Sequence, residues 1–179
     1  MSTNNYENLF NRMKKSEKVA ENWTQFINQA VTLFIQKDTD YESRFMRGMM
    51  ELDARTLWAW EVDKKLDRLR SWIKRGELQV KDEGIRNSVD DLFIYTVQYV
   101  IFVNTFINYG FEPFTLNEWK HQRIELFTNQ AVRLHIGEWI EFLEMKGRIS
   151  QNDALLKLII RMVMGGKVTA EDWRKAILA

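Results

Sequence analysis

The residues best placed to do chemistry lie in the stretch Glu83-Gly-Ile-Arg-Asn87-Ser-Val-Asp90-Asp91-Leu-Phe-Ile-Tyr95. Glu83, Asn87, Asp90 and Asp91 carry carboxylates or a carboxamide, and helical offsets of four, seven and eight stack them on one face. An apolar run follows, with Leu92, Phe93, Ile94, Val97, Tyr99, Val100, Ile101, Phe102 and Val103. A helix this apolar belongs inside the domain and carries its acidic first turns inward. Buried carboxylates must be paired, hydrogen-bonded or bound to a cation. The two readings are therefore a site for a hard metal ion and a neutralised structural cluster.

The preceding helix offers a second set. Glu61, Lys65 and Arg68 fall at offsets of zero, four and seven, a carboxylate followed by two cations along one stripe. Such a stripe could hold Mg²⁺ at one end and triphosphate oxygens at the other, because Mg²⁺ takes oxygen ligands and shares them with substrate phosphates. The plainer alternative is an i, i+4 ion pair, worth about 0.2–0.5 kcal/mol on a helix surface. The short connection over residues 75–81 predicts antiparallel neighbours, bringing Glu61, Lys65 and Arg68 within a few turns of Glu83 and Asp91.

The elements that must position these residues read as helices throughout. A single proline and eight glycines in 179 residues leave long stretches without breakers. Trp23, Phe26, Ile27, Ala30, Val31 and Phe34 predict a helix ending near Gln36. Lys37-Asp-Thr-Asp40 reads as a loop, and residues 41–50 as a short helix or turn. Long helices are expected over residues 53–74 and 82–108, closed by Gly76 and Gly110. Thr115-Leu-Asn-Glu118 matches a capping box and predicts a helix to about Lys146, weakened at Gly137. Gly147-Arg-Ile149-Ser150-Gln-Asn-Asp153 is echoed by Gly166-Lys-Val168-Thr169-Ala-Glu-Asp172, two similar loop-to-helix junctions. No strand pattern occurs. The expected fold is all-α: a helical bundle over residues 1–112 with a long antiparallel central helix pair, and a helical extension over 113–179 after Pro113.

Composition narrows the function. A hydrophobic share of 45%, with 13% aromatics, is enough for a substantial core. The formal net charge of +1 supplies no field to recruit nucleic acid or an anionic membrane, so neither is expected as a partner. The absence of cysteine removes disulfides, thiolate metal sites and cysteine nucleophiles. The polar N-terminus lacks the apolar core of a secretion signal, and the expected location is cytoplasmic. His121 and His135 lack acidic neighbours at ligand spacing. Gly165-Gly166 lacks the Lys-Ser/Thr of a phosphate loop. The basic turn around Trp72 reads as a core tryptophan with cations on a solvated face.

The series Lys37-Asp-Thr-Asp40-Tyr41, Glu61-x-x-x-Lys65-Leu66-x-Arg68-Leu69 and Glu83-x-Ile85-Arg86-Asn87-x-x-x-Asp91-Leu92-x-x-Tyr95 resembles the nucleotide-modification-associated domain of phages and bacteria. That family is similar in outline to the all-α nucleoside triphosphate pyrophosphatases of the MazG and dimeric dUTPase type. The resemblance covers residues 37–103. It implies a Mg²⁺-dependent hydrolase that cleaves a nucleotide between its α and β phosphates. Glu61, Glu83 and Asp91, helped by Asn87, would ligate Mg²⁺, and Glu61, Glu83 and Asp91 would form the catalytic set. Lys65 and Arg68 would clamp phosphate, Asp40 and Tyr41 would meet sugar or base, and Tyr95 would support a ligating carboxylate. A homo-oligomer is expected to close such a site. The chain departs from the pattern twice. Glu42 stands where the family has the glycine of Asp-Tyr-Gly, and Asn87 stands where an acid is expected one turn before Asp91. These departures keep a second expectation open: a catalytically inactive, phage-encoded helical protein-interaction module.

Overall fold

The computed structural model describes residues 17–75, 85–107 and 115–150, together with Leu155, Ile159, Ile160 and Val163. Among the described residues six α-helices are defined: α1 (Glu17–Asp40), α2 (Arg44–Glu51), α3 (Ala54–Arg75), α4 (Ile85–Phe102), α5 (Leu116–Arg133) and α6 (Ile136–Met145). The protein is all-α, with no strand among the described residues. No helix among them is long and apolar enough to cross a membrane.

Helical spacing of large side chains builds the core. Phe26, Ala30 and Phe34 recur every four residues along α1 and are fully covered. Phe34 stacks on Phe127 of α5 at 4.0 Å between ring centroids, and Phe26 stacks on Trp139 of α6 at 6.0 Å. Trp139 also meets Phe93 of α4 edge-on at 5.2 Å. Side chains from both sides of Pro113 thus share one continuous core. Replacing a buried aromatic of this kind by alanine typically costs about 3–5 kcal/mol.

The closest partnership in the bundle is between α3 and α4. Trp58 stacks on Tyr99 at 4.8 Å, Tyr95 is hydrogen-bonded to Glu61, and Lys65 pairs with Asp91. Partners rise along α3 as they fall along α4, the order of antiparallel neighbours. Gly48 lets α2 close against α3: a Cβ there would stand 2.8 Å from Leu57 Cδ2.

Several boundaries differ from the sequence expectation. Lys37 to Asp40 form the last turn of α1 rather than a loop. Asp38 extends the Ala30, Phe34 stripe by one more step of four, and its burial keeps that polar turn helical. The helix opened by Thr115 breaks at Leu134 and His135, not at Gly137. Both residues are extended; Leu134 is buried, and the bend turns Trp139, Ile140 and Leu143 toward the core. A π-helical turn, Val103–Ile107, follows α4 directly. Thr115 caps α5 as expected, its hydroxyl accepting from the Glu118 amide at 3.2 Å. Gly147 ends α6 in a left-handed conformation, while the segment echoing it at Gly166 lies outside the described residues.

Candidate functional site

The end of α1, the middle of α3 and the start of α4 meet around Asp91. Lys37 Nζ lies 2.6 Å from one carboxylate oxygen and Lys65 Nζ 3.0 Å from the other. Asp91 is buried, whereas the side chains of Lys37 and Lys65 are 42% and 22% exposed. One turn further along α4, the Tyr95 phenol donates to Glu61. Burial, followed by the negative charges of Glu61 and Asp91, pushes the Tyr95 hydroxyl well above its ordinary value, so it remains a donor. Tyr95 also packs edge-on against Phe45 at 4.6 Å. Glu61 takes a further ion pair from Lys64 at 3.1 Å. Tyr41, just past the end of α1, is 64% exposed and lies close enough to Tyr95 to influence its ionisation.

The residues assigned from the sequence therefore divide. Glu61, Lys65, Asp91 and Tyr95 come together, with Tyr41 at their edge. Arg68 sits half-buried one turn beyond Lys65, and Asp40 is exposed at the end of α1. Asn87 is exposed too, because burial along α4 begins only at Ser88. Glu83 lies outside the described residues.

Asp90 faces the interior beside this cluster. It is 3% exposed, and its Oδ1 has no hydrogen-bond partner. Burial raises its carboxyl to about 6, and the neighbouring Asp91 adds to the rise, against the lowering effect of Arg86 and Lys37.

Three residues that the sequence left without a role complete the surroundings. Lys37 is one. The others are Asp38 and Arg123, which form a second ion pair one residue away from the first. Arg123 Nη1 donates to Asp38 Oδ2 at 2.9 Å and Nη2 to Thr39 Oγ1 at 2.7 Å, while Ser43 Oγ donates to the same Asp38 oxygen at 2.7 Å. The signal for Asp38 was its place on the apolar stripe of α1, where a carboxylate needs a partner. Arg123, 85 residues away, gave no local signal.

No family model, curated protein or solved structure matches the chain. The Mg²⁺ implied by the resemblance can be tested against the donor set. Each Asp91 oxygen already faces an ammonium, Glu61 is held by Lys64 and Tyr95, and Asn87 is exposed. No group of three acidic or histidine side chains is gathered closely enough to hold a metal ion among the described residues. The fourth implied ligand, Glu83, lies outside the described residues. Two partly exposed ammoniums, those of Lys37 and Lys65, share the single Asp91 carboxylate.

Proposed function

We propose that the chain binds the polyphosphate of a nucleotide at the junction of α1, α3 and α4, as a nucleotide-binding relative of the all-α nucleoside triphosphate pyrophosphatases. The observation that carries this reading is the convergence of Lys37 and Lys65 on a single carboxylate, Asp91. Both lysines reach solvent, so phosphate oxygens can take over one or both ammoniums. Lysine suits such an exchange because its head is a mobile point charge. Tyr41 offers an exposed ring to a base, and stacking of this kind is tolerant of base identity. A further support is local: position 42, which the related family fills with glycine, is left-handed here, with φ of 51° at Glu42.

The test separates binding from hydrolysis. Titration of nucleoside triphosphates, with and without Mg²⁺ and with pyrophosphate release followed in the same samples, is repeated on Asp91→Ala. Binding through the lysines predicts an affinity that is retained or tightened, by up to roughly fivefold if freeing a partly exposed ion pair is worth about 1 kcal/mol. Binding through a Mg²⁺ ion held by Asp91 predicts the opposite, loss of affinity and of any pyrophosphate release.

The interaction-module reading is favoured by a different observation. Trp60 is 67% exposed beside a groove of about 480 Å³ that it lines with Asp53, Arg55, Thr56, Ala59, Asp63 and Arg148. Exposed tryptophans are common anchors of protein interfaces. Self-association measured by sedimentation, and its loss in Trp60→Ser with triphosphate binding unchanged, would assign this face to a second copy of the chain.

A further inference from the structure

The segment that carries Lys37 and Tyr41 is held from the other side of the chain. It ends α1 with two consecutive left-handed residues that are not glycine, Glu42 at φ 51° and Ser43 at φ 56°. Such backbone is costly for side-chain-bearing residues and persists only where the surroundings over-determine it. Here the surroundings are few and identifiable. The Ser43 amide donates to the Asp38 carbonyl at 2.8 Å and the Glu42 amide to that of Thr39 at 3.2 Å. The Ser43 hydroxyl then bonds the Asp38 carboxylate, and the Arg123 guanidinium spans Asp38 and Thr39 with its two Nη nitrogens. Asp38 and Ser43 are buried, and only 16% of the Arg123 side chain is exposed. A planar fork fixes both distance and direction, which a lysine in the same place would not.

Lys37 and Asp38 are adjacent, so fixing one restrains the other. With Asp38 and Thr39 locked against α5, the Lys37 ammonium is directed to Asp91 and Tyr41 is held near enough to Tyr95 to influence its ionisation. We propose that Arg123 is a positioning residue for the phosphate-binding segment 37–41, and that the helices following Pro113 thereby serve the site formed by those preceding it. The inference rests on the function proposed above and gives the C-terminal helices a part in it.

The test uses the full chain and two variants chosen to keep the fold. Thr39→Ala removes one arm of the fork at an exposed, helix-compatible position. Arg123→Lys keeps the charge beside Asp38 and removes the fork. Titration with inorganic triphosphate is combined with backbone amide exchange on the same samples. The expected result is faster exchange confined to residues 41–44 in both variants. Triphosphate binding should weaken roughly tenfold in Arg123→Lys and less in Thr39→Ala, the size expected when a charged side chain must be ordered on binding. Unchanged affinity with unchanged exchange at residues 41–44 would overturn the proposal. So would faster exchange spread evenly over all helices, the mark of a purely structural ion pair. If the unaltered chain binds no triphosphate, the phosphate reading fails, while exchange at residues 41–44 still decides whether Arg123 positions the segment.

Discussion

Helices α1 and α6 end in the same hydrogen-bond pattern and reach it by different means. At the end of α6, the Gly147 amide donates to the Glu144 carbonyl and the Arg148 amide to that of Leu143, each at 2.9 Å. At the end of α1, Glu42 donates to Thr39 and Ser43 to Asp38 at the same offsets of three and five. This is the Schellman arrangement, whose left-handed residue is usually glycine. In α6 it is Gly147, at φ 71°, and a Cβ added there would meet nothing within 4 Å. In α1 it is Glu42, and Ser43 after it is left-handed as well. One end relaxes into its conformation through residue choice. The other is imposed on residues that resist it, by a buried carboxylate, a hydroxyl and an arginine from a distant helix. Strain of this kind, placed where Lys37 and Tyr41 meet the ion-pair cluster, is what a binding segment with one required geometry would show.

The comparison breaks most severely if the brace is removed outright. Arg123→Leu leaves Asp38 buried with Ser43 as its remaining hydrogen-bond donor, and stripping one partner from a buried ion pair typically costs about 3–5 kcal/mol. Urea unfolding should show a loss of that order. Burial already raises the Asp38 carboxyl, against the lowering effects of Ser43 and Arg123, so the variant should raise it further.

Asp90 sharpens the contrast, because it is as buried as Asp38 while its Oδ1 has no hydrogen-bond partner. Its carboxyl is held at about 6, above its ordinary 3.8. Between those two values the folded chain keeps a proton that the unfolded chain has released. Stability attributable to this group therefore falls as pH rises from about 4 to about 6, and stays level above. The shift corresponds to on the order of 3 kcal/mol at neutral pH. Asp90→Asn should be more stable than the unaltered chain at pH 7 by up to that amount, with the difference closing below pH 4. Thermal denaturation of both proteins across this range would measure it, and a constant difference at all pH values would mean that Asp90 is not the group responsible.

What the sequence disclosed follows from how local each signal was. α3 was legible because Leu57, Trp58, Leu66 and Leu69 repeat with helical spacing, and its observed span of Ala54–Arg75 lies within a residue of that expected. The Thr115 cap was legible because its donor, Glu118, is three residues away. The end of α1 departs from the loop expectation because Lys37-Asp-Thr-Asp40 is polar in composition, while the buried Asp38 is satisfied by Ser43 beyond the helix end and by Arg123, 85 residues distant. At the site, the meeting of Glu61 and Lys65 with Asp91 and Tyr95 followed from antiparallel packing of neighbouring helices. The outward placement of Asn87 did not, since the offset of four says which face a residue shares and not how far down the helix burial begins. Nothing in the residue types of Val103–Ile107 sets the π-helical turn apart from the α-helix before it.

The smallest effects test the comparison at its origin. Gly147→Glu places a side chain in open space but in the left-handed region, so only the conformational cost is felt, about 1 kcal/mol of lost stability. Glu42→Gly makes the reverse exchange. The folded state sheds a left-handed penalty of about 1–2 kcal/mol, while the unfolded chain gains freedom that offsets roughly 0.5–1 kcal/mol of it. A net gain of about 0.5–1 kcal/mol is expected, measured by urea unfolding. Ser43→Gly starts from nearly the same φ and should go the other way, because the hydroxyl it deletes is a donor to buried Asp38. If Ser43→Gly stabilised the chain as Glu42→Gly does, backbone strain alone would govern this helix end, and the brace of Asp38, Ser43 and Arg123 would have no hold on it. If Glu42→Gly stabilised the chain but weakened triphosphate binding, the strain would be contributing to the geometry that the site requires.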